Sequence, residues 1–201
     1  PFQACILFLV DGARPDVLDD LMKRGELPNI SRYIVEPGSF CRATTVFPST
    51  TGPAYLPFLT GTYPGPSNLP GIRWFDRKAF SRYGIWGWKS YRSYIGPGSY
   101  CINNDLTLPF PTIFERFERP ANIFSAINRG VGFVGNSTKA IRSAYWLYAH
   151  WTDRWQPVDR AAGRLLISAI RRRSDFVFVV FPGVDEFSHL RHPFADEVLE
   201  S

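Results

Sequence analysis

Two apolar runs constrain the fold of this chain more than any other feature of its sequence. The first covers residues 4–10 and ends at Asp11-Gly12, and the second covers residues 175–181 and ends at Pro182-Gly183. Short continuous runs with β-branched and aromatic members, each closed by a turn, are typical of buried strands in a parallel sheet. We therefore expect an α/β protein with a mostly parallel central sheet flanked by helices.

The rest of the chain supplies further helix and strand signals around these runs. Apolar side chains at helical spacing follow Pro15-Asp16 and stop at Gly25, which predicts a helix directly after the first strand. By the same reasoning we predict, in chain order, a strand over residues 39–47, a short helix over 55–60, a helix over 121–129, a strand over 130–135 and a helix over 160–172.

Residues 63–120 differ in composition from the segments on either side. They are rich in Gly, Pro, Trp and Tyr and show weak periodicity. We call this segment the aromatic excursion and expect it to cap the sheet or to shape a pocket. The chain starts at Pro1 and stops at Ser201 inside a polar, helix-like stretch, so we expect both ends to be cuts in a longer protein.

Bulk composition excludes several classes of protein. The chain has 201 residues, 45% of them hydrophobic, which is enough for a core, and no apolar run reaches the ~18–20 residues of a membrane span. The net charge is +5, but Lys and Arg are scattered, so nucleic-acid binding is not expected. The three cysteines lack the spacing of a disulfide framework or zinc finger. We expect a soluble protein and favour the cytoplasm; an upstream signal peptide and the oligomeric state stay open.

Polar residues with possible chemistry follow three of the predicted strands. They are Asp11, then Thr51 in the run Ser49-Thr50-Thr51, then Asp185 with His189. Ligands of parallel sheets bind beyond the carboxyl ends of the strands, so these segments are expected to converge. A carboxylate and an imidazole four residues apart suit zinc or manganese if the segment is helical. Singly, Asp11 could be a turn residue and Thr51 a helix cap, while Asp185 could cap a helix and His189 lie on the surface.

Two stretches of the sequence resemble a known family. They are Leu7-Phe-Leu-Val-Asp-Gly12 and Val46-Phe-Pro-Ser-Thr-Thr-Gly-Pro-Ala-Tyr-Leu-Pro-Phe-Leu-Thr-Gly-Thr-Tyr-Pro64. Both are similar to the start of type I phosphodiesterase/nucleotide pyrophosphatase proteins of the alkaline phosphatase superfamily. The family's nucleophilic Thr falls on Thr51, and its later Asp and His fall on Asp185 and His189 with the spacing kept.

The resemblance implies an alkaline phosphatase-like fold, with residues 1–201 as the N-terminal portion of one catalytic domain and 63–120 as a cap or pocket insertion. It also implies two divalent metal ions, Zn²⁺ or Mn²⁺, one on Asp11 and Thr51 and the other on Asp185 and His189. Thr51 would take the phosphoryl group of a small phosphate ester and form a covalent phosphothreonine. The alternatives are a phosphonate hydrolase or phosphotransferase on the same fold, or a non-catalytic domain that binds a partner.

The chain departs from the family pattern at several positions. The family's Phe-Pro-Asn-His corresponds to residues 52–55, which end in Ala54-Tyr55, and Phe75 stands near the position of a phosphate-binding Asn. Arg73 or Asn68 is a candidate replacement, the substrate-binding residues stay unknown, and Thr50 is a rival nucleophile. The family's remaining metal ligands, an Asp-His pair and a later His, are expected beyond Ser201.

Overall fold

A parallel three-stranded sheet forms the centre of the protein. In the computed structural model, which describes residues 3–86, 90–106, 109–136, 138–192, 195 and 198, its strands stand in the order β1-β5-β4. They are β1 (Cys5–Val10), β4 (Pro120–Ile123) and β5 (Phe176–Phe181). Both pairings are parallel. The predicted α/β class with a parallel sheet is therefore confirmed.

Strand β5 holds the central position because its side chains are apolar on both faces. Every residue from Phe176 to Val180 is at most 3% exposed. On one face Phe176 packs against the rings of Phe114 and Phe117, with ring centroids 5.6 and 4.9 Å apart. An apolar run of this kind is stable only when both faces are covered, which explains why the 175–181 prediction succeeds.

Strand β1 is less buried than its sequence suggests. It pairs with β5 in register from Cys5↔Phe176 to Val10↔Phe181. Phe8 and Val10 are nevertheless 49% and 43% exposed, so the expectation of a fully buried strand is wrong for β1. Within the described residues, β1 is an edge strand of the sheet with β5 as its pairing partner, and an edge strand has less cover than a central one.

Helices flank the sheet and connect its strands. Helix α1 (Pro15–Lys23) follows β1 as predicted, and α7 (Gln156–Arg171) precedes β5, four residues longer at its start than the predicted helix. The short helix before Gly61 is also present, as a 3₁₀ turn over Pro53–Tyr55 continued by α3 (Leu56–Thr60). The other helices are α2 (Pro28–Ile30), a π-helix over Ser31–Val35, α4 (Arg77–Tyr83), α5 (Ile102–Asp105), α6 (Thr138–Thr152) and α8 (Gly183–Leu190).

Three of the predicted elements are wrong. Residues 39–47 are irregular and mostly exposed, and they pair with no strand in the part of the chain that the structure describes, so the local β propensity of Thr44-Thr45-Val46 alone does not form a strand. The predicted helix over 121–129 is instead β4 and a turn, since pairing with β5 overrides helix propensity. Residues 130–135 form turns rather than a strand, and Gly130 has a φ of +91°.

The aromatic excursion contains short elements of its own. Strands β2 (Arg73–Phe75) and β3 (Tyr91–Ser93) form an antiparallel pair, and 3₁₀ turns cover Gly84–Trp86, Gly96–Cys101 and Ile113–Arg116. Residues 87–89, 107 and 108 of the excursion lie outside the described residues. Among the helices that the structure describes, none combines the length and apolar character needed to cross a membrane.

Candidate active site

The carboxyl ends of β1 and β5 bring two polar segments into direct contact. The Asp11 N–H donates to the Phe181 carbonyl at 3.0 Å, which continues the β1–β5 ladder by one residue. Gly12 follows with a φ of +74°, and a Cβ atom there would lie 2.7 Å from the Cα of Asp185. Only a glycine satisfies both conditions, so Asp11 and Asp185 are held side by side.

Thr51 reaches this edge from a loop and not from a strand. Its hydroxyl donates to the Asp11 Oδ2 atom at 3.1 Å, across 40 residues of sequence. The 3₁₀ turn that follows has no side-chain cap, which disfavours the interpretation of Thr51 as a simple helix cap. Thr50 contributes to the loop through its carbonyl, which accepts from the Ala54 N–H at 3.0 Å.

Tyr55 is a site residue that the sequence analysis missed. Its hydroxyl donates to the same Asp11 Oδ2 atom at 2.6 Å, and its ring meets Phe178 of β5 edge-on at 6.1 Å. Burial, together with the charges of Asp11 and Asp185, raises the Tyr55 pKa well above its usual value, so the group stays a protonated donor. The available signal was its position in the resemblance, where Tyr55 stands in place of the family's His.

Asp185 and His189 lie on one face of helix α8, at its start and its end. The His189 Nε2 atom is 3.5 Å from the Asp185 Oδ2 atom, as their four-residue spacing on a helix requires. The Asp185 side chain is 28% exposed and that of His189 is 74% exposed, so the pair reaches from the sheet edge out to solvent.

A half-buried carboxylate supports the start of α8. The Gly183 N–H donates to the Asp159 Oδ1 atom of α7 at 3.3 Å, and a Cβ atom at Gly183 would collide with the Asp159 carboxylate. Burial raises the pKa of Asp159 to about 6, and the Gly183 hydrogen bond opposes that rise. Asp159 therefore positions the segment that carries Asp185.

The electrostatics of the site are dominated by closely spaced carboxylates. Burial and the neighbouring charge of Asp11 raise the Asp185 pKa, against the opposing effect of His189. Burial and the charge of Asp185 likewise raise the pKa of Glu186 to about 7, while His189 and Arg142 oppose the rise. Such crowding of acidic groups favours the presence of positive charge among them.

A small cavity of about 70 Å³ opens between these residues and the aromatic excursion. Arg142 of α6, a helix that the sequence analysis did not predict, contributes a guanidinium to it. The two candidate phosphate-binding residues, Arg73 and Asn68, do not line it, and the Asn68 side chain instead donates to the Asp105 carbonyl. The walls include Asp11, Thr51, Tyr55, Ile72, Tyr94, Ser99, Arg142, Trp146, Asp185 and Glu186.

The donor atoms at this site are of the types that bind divalent metal ions, but each pair has too few of them for a complete ligand set. Asp11 and Thr51 offer oxygen atoms, and Asp185 and His189 offer a carboxylate and an imidazole, a set suited to zinc or manganese. Within the described ranges, no group of three or more His, Cys, Asp or Glu is close enough to hold an ion. Each pair is thus a partial ligand set.

The family model for type I phosphodiesterase/nucleotide pyrophosphatase matches residues 5–201, nearly the whole chain. No curated protein matches the chain significantly. Membership of this family supports a phosphodiesterase or pyrophosphatase type of hydrolase in general, and the family is generally metal-dependent. The chain therefore belongs to the type I phosphodiesterase/nucleotide pyrophosphatase family, a member of the alkaline phosphatase superfamily.

Proposed function

We propose that the protein is a metal-dependent hydrolase of phosphoric esters in which Thr51 takes the phosphoryl group. The observation that carries the proposal is the 3.1 Å contact between the Thr51 hydroxyl and Asp11, directly beside Asp185. A nucleophile needs a hydroxyl that a neighbouring group orients and activates. The Asp11 carboxylate orients Thr51, and the cavity leaves room for the substrate next to it.

The reaction would run in two displacements at phosphorus. The Thr51 hydroxyl releases its proton to water as Oγ1 bonds to phosphorus. The leaving oxygen departs with the electron pair of the broken bond and takes up a proton from water, which leaves a phosphothreonine. Water then attacks phosphorus and breaks the bond to Oγ1, which releases the product and restores Thr51. Asp11 holds the hydroxyl in line during the first step, and the buried Tyr55 hydroxyl holds Asp11.

We propose that Asp11 and Thr51 hold one divalent cation and that Asp185 and His189 hold a second, with Zn²⁺ favoured and Mn²⁺ as the alternative. Bound cations of this kind lower the pKa of a nucleophile and neutralise charge on the attacking and leaving oxygens. We further propose that residues 1–201 are the N-terminal portion of one catalytic domain, with additional ligands supplied by residues outside them. Residues 63–120 would act as a pocket insertion, because Ile72, Tyr94 and Ser99 line the cavity.

The test is hydrolysis of p-nitrophenyl phosphate and bis-p-nitrophenyl phosphate by the full-length protein with zinc or manganese. Thr51→Ala should lower turnover by at least ~10³-fold, since the nucleophile is lost. Thr51→Ser keeps a hydroxyl and should retain measurable turnover, and Thr50→Ala should behave like the unmodified protein. Unchanged turnover in Thr51→Ala, or loss in Thr50→Ala alone, would contradict the assignment.

The alternatives predict different results in the same samples. A phosphonate hydrolase would turn over a phosphonate monoester faster than either ester, and a phosphotransferase would pass the phosphoryl group to an added alcohol in preference to water. A non-catalytic domain would bind no metal, whereas the proposal predicts about two ions per chain by metal analysis.

A further inference from the structure

A second cavity lies between β4, α7 and the turn over residues 132–135, and we call it the β4 cavity. Its volume is about 460 Å³, much larger than the cavity of about 70 Å³ beside Thr51. Pockets for small molecules have volumes of roughly 300–1,000 Å³. The residues proposed for catalysis and metal binding do not line the β4 cavity, so it is separate from the candidate active site.

The turn that closes the β4 cavity exposes two large apolar side chains. Phe133 is 97% exposed and Val134 is 71% exposed. The turn is nevertheless fixed to β4, because the Asn122 N–H donates to the Gly135 carbonyl at 3.1 Å and a Cβ atom at Gly135 would collide with the Pro120 carbonyl. Exposed apolar side chains that an ordered backbone holds beside a cavity are typical of a binding site for an apolar group.

The inner walls of the β4 cavity continue this apolar surface. They include Ala121 and Ile123 of β4, together with Leu165 and Ala169 of α7. Ile141 of α6 joins them and is 40% exposed. An alkyl chain placed in the cavity would therefore leave water for an apolar surround, which is favourable.

The polar wall of the β4 cavity carries two exposed arginines. Arg119 precedes β4, and Arg172 follows α7. Among the described residues, no carboxylate lies at ion-pair distance of either side chain. Glu118 also lines the cavity, and the nearby Asp175 carboxylate accepts from the Glu118 and Arg119 N–H groups, both at 3.0 Å. Two guanidinium groups against one carboxylate make this wall favourable for an anionic group.

The macrodipole of α7 explains only part of this positive charge. Cations at the end of a helix complement its dipole, which accounts for Arg171, Arg172 and Arg173 without any ligand. Arg119 does not fit that explanation, because it belongs to the segment before β4 and yet lines the same cavity as Arg172. Two cations that come from separate elements to one wall favour an anion between them.

The sheet topology places both arginines at one end of the β4 cavity. Strand β4 runs parallel to β5, with Pro120 opposite Phe176, and α7 leads into β5 through a short connection. The start of β4 and the end of α7 therefore lie at the amino edge of the sheet, whereas Thr51 lies at the carboxyl edge. From Arg172 back to Leu165 the helix extends about 10 Å, which is the length of a medium alkyl chain.

We propose that the β4 cavity binds an anionic amphiphile. Arg119 and Arg172 hold its carboxylate or phosphate head group, because the arginine fork matches the oxygens of both. Phe133, Val134 and Leu165 cover its alkyl chain. The ligand is either a free fatty acid or alkyl phosphate, or the same chemistry presented by a lipid surface. The site does not depend on the proposed hydrolase activity, since it lies at the opposite edge of the sheet.

The head group is tested by calorimetry on the full-length protein, with probes below their micelle-forming concentrations. Decanoate and decyl phosphate should bind, and the cationic decyltrimethylammonium should bind at least ~10-fold more weakly. The double variant Arg119→Ala/Arg172→Ala should raise the Kd of decanoate by about 10- to 100-fold and leave that of neutral decanol unchanged. Arg164→Ala is the matched control, because Arg164 is an exposed arginine of α7 that does not line the cavity.

The apolar wall is tested with the double variant Phe133→Ala/Val134→Ser. The Kd values of decanoate and decanol should both rise by about 10-fold, because apolar contact is lost. The altered side chains are exposed, so urea unfolding and the turnover of p-nitrophenyl phosphate should match those of the unmodified protein. An unchanged Kd of decanoate in the arginine double variant, or equal affinity for the cationic probe, would overturn the proposal.

Vesicles distinguish the two sources of the ligand. If a lipid surface presents it, the protein should sediment with phosphatidylcholine vesicles that contain phosphatidylglycerol but not with phosphatidylcholine alone, and the arginine double variant should stay in solution. If the ligand is a free amphiphile, the protein should bind decanoate and stay in solution with both kinds of vesicle. Absence of both decanoate binding and sedimentation would overturn the proposal.

Discussion

The two polar pairs at the sheet edge are built in opposite ways. The pair of Asp11 and Thr51 joins the end of a strand to an irregular loop 40 residues later, and Tyr55 adds a second hydrogen bond to the same carboxylate oxygen. The pair of Asp185 and His189 lies within one helix, four residues apart, with an imidazole that is 74% exposed. The first pair depends on tertiary structure, and the second needs little beyond α8.

The two pairs also differ in how much packing holds them in place. The loop that carries Thr51 is held through Tyr55, whose ring contacts the central strand and whose hydroxyl is buried. Helix α8 needs support mainly at its start, where Asp159 accepts from Gly183. The nucleophile candidate is therefore fixed by a long-range network, and the outer imidazole can adjust to a ligand.

The largest effect should come from the tertiary pair. Asp11→Asn keeps the size of the side chain but removes the charge that Thr51 and Tyr55 contact, and it should lower kcat/KM by on the order of 10³-fold, or about 4 kcal/mol. His189→Ala should lower kcat/KM less, by about 10- to 100-fold, because the exposed imidazole is less tightly fixed. Both variants would be assayed with p-nitrophenyl phosphate and analysed for bound metal. Equal losses in the two would remove the distinction between the pairs.

A substitution at Gly12 can disrupt the close contact between the end of β1 and Asp185. Gly12→Ala places a Cβ atom 2.7 Å from the Asp185 Cα atom, in a backbone conformation with φ of +74°. Gly25 is a matched control, since its φ is +76° but a Cβ atom there would meet nothing within 4 Å. We expect Gly25→Ala to lower the free energy of unfolding by about 1–2 kcal/mol, from the left-handed backbone alone.

Gly12→Ala should lower the free energy of unfolding by that amount plus about 1–3 kcal/mol for the displaced backbone. It should also reduce activity because Asp185 moves. Urea unfolding of both variants measures the difference. Equal costs at Gly12 and Gly25 would show that the close approach of the two segments is unimportant.

The smallest effect concerns the support of α8 and depends on pH. Burial raises the Asp159 pKa from an ordinary 3.8 to about 6, so the folded protein binds the proton more tightly than the unfolded chain does. The free energy of unfolding should therefore fall as pH rises from about 4 to about 6. Asp159→Asn removes this loss and can keep the acceptor for Gly183. The free energy of unfolding of Asp159→Asn, relative to that of the unmodified protein, should therefore rise by on the order of 2 kcal/mol from pH 4 to pH 7, as measured by urea unfolding. A pH-independent difference would contradict it.

The sequence predicts those parts of the fold whose signal is local. The 175–181 run, the helix after Pro15 and the amphipathic helix before β5 are all present, because their periodicity and end signals are enough to define them. Pro120–Ile123 could not be predicted as a strand, since its four residues become β4 only by pairing with β5. Residues 39–47 have a local β pattern but pair with no strand among the described residues, and a local pattern does not reveal whether a partner is present.

The residues of the candidate site also differ in how far the sequence alone predicts them. Asp11, Thr51, Asp185 and His189 could be named from strand ends and family resemblance. Tyr55 could have been found as a departure from the family pattern. Arg142 carries only a weak signal, an arginine one helical turn before Trp146, and its place beside the cavity follows from how α6 packs.

The most direct measurement is the identity of the residue that carries the phosphoryl group. The full-length protein would be mixed with p-nitrophenyl phosphate, quenched in acid within the first turnover, digested and analysed by mass spectrometry. The account predicts phosphorylation on Thr51, its loss in Thr51→Ala, and its retention in Thr50→Ala. Phosphorylation on Thr50, or turnover with no phosphorylated peptide at any quench time, would contradict it.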